Sequence, residues 1–323
     1  MKINTKFTQM MGCELPVIAG PMFLVSNEEL VAAVSEAGGL GGMPSLNWKT
    51  SEGFREAVRK VKSLTNKPFA VNLIVNKASP RQVPDLQICM EEKVPLVITS
   101  LGNPKEVIEK MHSVGSKVFC DVTTLEYAKK VEGLGADGVI AVSAGAGGHA
   151  GPISPLVLIP YLCENIKIPV ICAGGISTGK QMAAALMLGA AAVQIGTRFI
   201  ACTETNVNMD YKNAILNADP EDIVLTKKLS GTPAAVINTP YIQKEGLELN
   251  FVEEMLYKYP KTKKYMKLLR AYLGSKVLEK AASTTTWKNV WSAGQGVAFI
   301  NEILPARKIM ENLFNEYQQA KKP

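Results

Sequence analysis

Up to about residue 200 the chain alternates short apolar or glycine-rich runs with helix-patterned segments, and the alternation repeats eight times. The runs cover residues 17–19, 40–43, 69–73, 96–99, 118–122, 138–142, 170–173 and 192–195. Several carry almost no polar residue, the pattern of parallel strands buried on both faces. Between them lie helical patterns such as 28–37, 53–64, 104–114 and 124–134, with Asn27 and Thr124 placed as N-caps. A strand, a helix and a further strand imply a right-handed parallel connection, which leaves few arrangements open to such a chain.

Eight units of this kind predict an α/β fold, a closed (β/α)8 TIM barrel. A doubly wound open sheet is the alternative; Ala19-Gly20-Pro21-Met22 after the first strand does not match the glycine fingerprint that such a sheet would carry. After Cys202 the alternation stops. Residues 205–290 are polar and helix-patterned, and predict a mostly helical substrate or lid domain inserted after the eighth strand. Trp291 to Gly296 and a helical run over 297–316 then return to complete the barrel, which therefore spans residues 1–204 and 291–323.

In a barrel of this type the chemistry sits at the C-terminal ends of the strands, and phosphate is commonly held after the seventh and eighth. Two stretches fit: Ala173-Gly174-Gly175-Ile176 opening a helix, and Gly196-Thr197-Arg198-Phe199. Glycines there let main-chain N–H groups converge on an anion. The sixth strand runs into Ser143-Ala144-Gly145-Ala146-Gly147-Gly148-His149-Ala150-Gly151, where glycines around one imidazole suit close passage beside a bound cofactor or substrate. His149 is the candidate acid or base. Asn72, inside an apolar run, bonds either neighbouring backbone or a ligand at the barrel mouth, and Met22 is either core packing or a cofactor contact. His112, in a polar helical stretch, reads as solvated.

Other chemistries find no support. The six cysteines are scattered, with no C-x-x-C pair and no histidine cluster, so no structural zinc or other metal site is expected. No nucleophile–histidine pattern points to acyl-enzyme chemistry. A single proton-transfer residue beside a phosphate site favours an organic cofactor. No apolar run reaches membrane-spanning length and the start lacks a secretory segment, so a cytoplasmic enzyme without membrane attachment is expected. The net charge of +7 is concentrated in residues 258–280, where eight cations face Glu279 alone. That segment reads as a solvated helix face or as a patch for an acidic partner or anionic substrate; no motif accompanies it that would mark nucleic acid.

The motifs taken together resemble the FMN-dependent nitronate monooxygenases, formerly 2-nitropropane dioxygenases, and their relatives the FMN enoyl-acyl-carrier-protein reductases. The resemblance rests on Pro16 to Met22, Ala37-Gly38-Gly39-Leu40-Gly41, Phe69 to Leu73, Ala146 to Gly151, Ala173 to Ile176, Gly196 to Phe199 and Ala293-Gly294-Gln295, in order along nearly the whole chain. It implies a barrel binding FMN non-covalently, with Met22 and Asn72 near the flavin ring and Gly147 in the loop beside it. Gly174, Gly175, Gly196 and Thr197 would hold the phosphate, and Gln295 would close the site. His149 matches the family's active-site histidine. Relatives usually carry Glu two places before the Gly-Gly-His, where this chain has Gly145-Ala146.

The activity implied is oxidation of alkyl nitronates by O2 to a carbonyl compound and nitrite. Its rival keeps the flavin and reduces an enoyl thioester or a quinone with NAD(P)H. A third reading, from a different class, is a non-catalytic binder of phosphate ligands; it gives His149 no task. A homodimer is compatible with the sequence but not required by it.

Overall fold

Strands buried on both faces must find helices outside and side chains inside, and the chain meets both demands. The computed structural model describes residues 1–75, 79–228, 232–248 and 290–321. Barrel strands β1 (Val17–Ala19), β2 (Leu40–Pro44), β3 (Phe69–Ile74), β4 (Leu96–Ser100), β5 (Lys117–Val122) and β6 (Gly138–Val142) follow in order. A two-residue strand outside the barrel, β7 (Gly148–His149), comes next, then barrel strands β8 (Val170–Ala173) and β9 (Ala192–Ile195). All eight barrel pairings are parallel, and β1 closes the ring by pairing Ile18 with Gln194 of β9. The eight predicted runs therefore coincide with the eight barrel strands to within a residue or two at each end.

The two-residue period of the strands sorts their side chains. Ile18, Leu40, Ala70, Ile98, Phe119, Ile140 and Ile171 fill the interior, while Val17, Val71, Val97, Val139 and Val193 pack outward under the helices. A short helix, Lys6–Met11, closes the N-terminal end of the barrel. Thr5 and Thr8 cap it reciprocally, and Phe7, fully buried, meets Phe119 edge-on with ring centroids 6.2 Å apart. The sequence pattern gave no warning of this plug.

Outside, Asn27 and Thr124 cap their helices as expected, accepting from the Leu30 and Tyr127 amides. The helical run expected over 297–316 is interrupted. A short 3-10 turn, Gln295–Phe299, precedes the helix Ala306–Ala320, because Pro305 has no N–H to continue a helix and fits only at its start. That last helix lies against Gly179–Met187 and Glu28–Glu36, supplying the eighth outer helix of the barrel.

The described part of the insertion is not wholly helical. Besides helices Met209–Leu216 and Pro240–Glu245 it contains strands β10 (Ile223–Thr226) and β11 (Ala234–Ile237), which form an antiparallel sheet with β7. The predicted basic segment, 258–280, lies outside the described residues. No described helix is long and apolar enough to cross a membrane.

Candidate active site

At the C-terminal end of the barrel the inward-facing residues turn polar: Asn72 on β3, Ser100 on β4, Asp121 on β5 and Gln194 on β9. Above them opens a cavity of about 770 Å³ lined by Met22, Asn72, Asp121, Gln194, His149 and the glycine loops. Asn72 donates to Ile98 O at 3.1 Å and to Ser100 Oγ at 2.7 Å, and Ser100 donates in turn to Asp121 Oδ2 at 2.5 Å. Asp121 Oδ1 and Gln194 Oε1 are buried without a hydrogen-bond partner. Burial pushes the Asp121 carboxyl up to about 6, partly offset by the Ser100 hydrogen bond.

His149 is held from an unexpected direction. Its strand β7 pairs antiparallel with β11 of the insertion, Ala234 opposite His149 and Ala235 opposite Gly148. The loop before it is stitched to two others: Gly145 O accepts from Gly175 N at 3.1 Å and from Gln295 N at 3.2 Å. Gly147 is required by this contact, since a Cβ there would sit 2.8 Å from Ala293 C and Gly294 N. The close approach read from the glycines is thus, at Gly147, an approach of backbone to backbone. His149 is exposed and lines the cavity, yet desolvation by the surrounding walls lowers its pKa from the ordinary 6.5. Desolvation therefore favours the neutral imidazole.

The two phosphate-type loops converge on the same cavity, which Gly174, Gly175, Gly196 and Thr197 all line. Gly175 has φ +72° and open space where a Cβ would stand. Thr197 Oγ1 accepts from Gly294 N at 3.0 Å, tying the loop after β9 to the returning segment, while Ser177 Oγ is buried with no partner. Gln295 itself is exposed; its backbone meets Gly145, and its neighbour Gly296 lines the cavity. The outer wall is apolar, with Phe23, Leu46, Ile200 and a stacked pair, Tyr211 and Trp291, whose centroids lie 5.6 Å apart. Among the described lining residues none is Lys or Arg.

Met22 both lines the cavity and packs against the core. His112 is exposed as the sequence suggests but not merely solvated: its Nε2 lies 2.7 Å from Asp137 Oδ2, in a cluster with Lys117 at the N-terminal ends of β5 and β6, opposite the ends that meet the cavity. Asp121, Gln194 and Ser177 also line the cavity, and no sequence motif marks them. Asp121 and Gln194 carried the same signal as Asn72, a polar residue in the inward register of an apolar strand. Among the described residues no group of His, Cys, Asp and Glu is arranged to hold a metal.

Comparison with known proteins agrees with this geometry. A family model described as nitronate monooxygenase matches residues 4–84 and 81–316. A nitronate monooxygenase of Pseudomonas aeruginosa is 32% identical over 361 aligned positions, covering 97% of this chain and 99% of that protein. A (3aS,4S,5R,7aS)-5-hydroxy-7a-methyl-1-oxo-octahydro-1H-indene-4-carboxyl-CoA dehydrogenase of Rhodococcus jostii is 35% identical over 240 residues, 74% of this chain and 67% of that one. Among solved structures, FabK from Thermotoga maritima superposes with a TM-score of 0.87 at 35% identity, over 98% of this chain and 97% of its own. With the barrel, the glycine loops and His149 in place, the chain belongs to the nitronate monooxygenase family and is an oxidoreductase.

Proposed function

We propose that the barrel mouth binds FMN and that the enzyme oxidises alkyl nitronates with O2 to a carbonyl compound and nitrite. The residues present suit that cofactor. Gly174, Gly175, Gly196 and Thr197, with the unpartnered Ser177 hydroxyl, offer donors to a phosphate. The oxygens of Asn72, Asp121 and Gln194 offer acceptors to the N–H of an isoalloxazine edge and to ribityl hydroxyls. FMN, when bound, supplies the one-electron and oxygen chemistry that no side chain provides.

The observation that carries the reading is His149, an imidazole in the lining of this cavity, whose pKa desolvation lowers. As a base it takes the α-proton of a neutral nitroalkane, leaving the nitronate anion. The imidazolium so formed faces the nitronate oxygens and offsets their charge in a site with no described Lys or Arg in its lining. The apolar wall of Phe23, Leu46, Ile200 and Trp291 shelters the alkyl group and excludes water. FMN-loaded protein given propyl-2-nitronate in air is expected to release nitrite as oxygen is consumed. Nitrite release no faster than with free FMN would overturn the proposal.

A second reading, reduction of an enoyl thioester or a quinone by NAD(P)H, draws on relatives named as a carboxyl-CoA dehydrogenase and FabK at 35% identity. Rapid anaerobic bleaching by NADH, with nitronate inert, would favour it.

A further inference from the structure

The polar floor of the barrel contains one connected set of side chains whose hydrogen-bond directions bear on what the barrel mouth accepts. Asn72, Ser100 and Asp121 sit on three adjacent strands at inward positions, and their hydrogen bonds run in one direction. Ser100 has a single hydroxyl proton, which goes to Asp121 Oδ2 at 2.5 Å. Its oxygen is then left to accept from Asn72 Nδ2 at 2.7 Å, and the second Asn72 proton goes to Ile98 O at 3.1 Å. Both amide protons are thereby spent. The opposite amide orientation would set Asn72 Oδ1 against the carbonyl oxygen of Ile98, two acceptors facing each other.

We propose that Asp121 and Ser100 form a positioning relay that locks the Asn72 amide with its oxygen as the one group left for a ligand, making Asn72 an obligate acceptor at the barrel mouth. The site then selects an occupant that places an N–H or O–H donor over β3, and discriminates against one that offers a lone pair there. A locked acceptor costs no reorientation when the ligand arrives, whereas a free amide must lose rotamer freedom first. In a buried site, meeting Asn72 Oδ1 with an acceptor leaves two oxygens without a proton between them, which is where the discrimination arises. The consequence for FMN rests on the function proposed above; the relay itself does not.

The test labels asparagine with ¹⁵N in the full-length protein and follows solvent exchange of the Asn72 side-chain amide, assigned by its disappearance in Asn72→Asp. Both protons are expected to exchange slowly in the parent and in Ser100→Thr, which keeps the hydroxyl. Ser100→Ala and Asp121→Val are expected to release at least one of them. FMN affinity, read by flavin fluorescence, should fall about tenfold in Ser100→Ala and recover in Ser100→Thr. Unchanged exchange in both Ser100→Ala and Asp121→Val, or a Thr variant as impaired as Ala, would overturn the relay. A parent that binds no FMN would end the flavin reading, while the exchange data would still decide the relay.

Discussion

His149 stands opposite Ala234 in an antiparallel pairing, so the proposed proton-transfer residue of the barrel is aligned by a strand of the insertion. The central strand β11 uses both edges, pairing with β10 on one side and β7 on the other. Proline at position 235 removes a ladder donor and cannot sit in a central strand without distortion. Ala235→Pro is expected to retain the barrel and the proposed FMN binding while lowering turnover up to about 100-fold, as misplacement of a catalytic group by about 1 Å does. Steady-state kinetics alongside the circular dichroism spectrum check this; full activity would show that the pairing does not place the imidazole.

Replacing the imidazole itself separates binding from chemistry. His149→Ala should bind FMN like the parent and lose about 10²–10⁴-fold in turnover of a neutral nitroalkane.

The pH profile of the parent carries a sign. Because desolvation disfavours the imidazolium, the base is available down to a pH below 6.5, and kcat/KM should fall only as the pH drops through that lowered value. A midpoint above 6.5, or a limb that survives in His149→Ala, would assign the titration to another group.

Asp121 makes an opposite contribution to stability. Its carboxyl, pushed up to about 6, holds a proton in the native state that the unfolded chain releases near the ordinary value of 3.8. The stabilisation from this group is complete below that value and is lost as the pH rises through about 6. Asp121→Asn removes the titration and can still accept from Ser100. Relative to the parent without cofactor, the variant should gain about 3 kcal/mol between pH 4 and pH 8 in denaturant melts. Parallel stability curves would show that the carboxyl is not buried in this way.

Two glycines of the site should respond differently to alanine. At Gly147 the new methyl would lie 2.8 Å from backbone atoms, so the loop must part from the returning segment. At Gly175 the space is open and only the left-handed φ resists, at about 1–2 kcal/mol. Gly147→Ala should therefore melt earlier, while Gly175→Ala keeps most of its stability and loses FMN affinity by intruding where the phosphate is proposed. Differential scanning calorimetry and fluorescence titration of both variants separate the two effects.

The barrel was legible because the eight buried strands leave a period the helices cannot imitate, and Asn27 and Thr124 marked helix starts by their own chemistry. His149 and the loops at Gly174–Gly175 and Gly196–Thr197 were legible from their place after the strands. The tie between Ala234 and His149 was not, since pairing across 85 residues depends on main-chain groups that every residue carries. Asp121 and Gln194 were readable in principle from strand parity, but one polar residue in an apolar run marks a register only once the barrel is closed. The N-terminal plug depends on Phe7 meeting Phe119, a contact that no local pattern encodes.

The central claim is that this cavity holds FMN for oxidation of nitronates, with His149 facing the substrate. Anaerobic titration of the FMN-loaded protein with propyl-2-nitronate, followed at the flavin absorbance and then opened to air with nitrite counted, tests it most directly. The account predicts that nitronate reduces the flavin, that NADH leaves it oxidised, and that air releases nitrite. A flavin bleached by NADH and untouched by nitronate would contradict it.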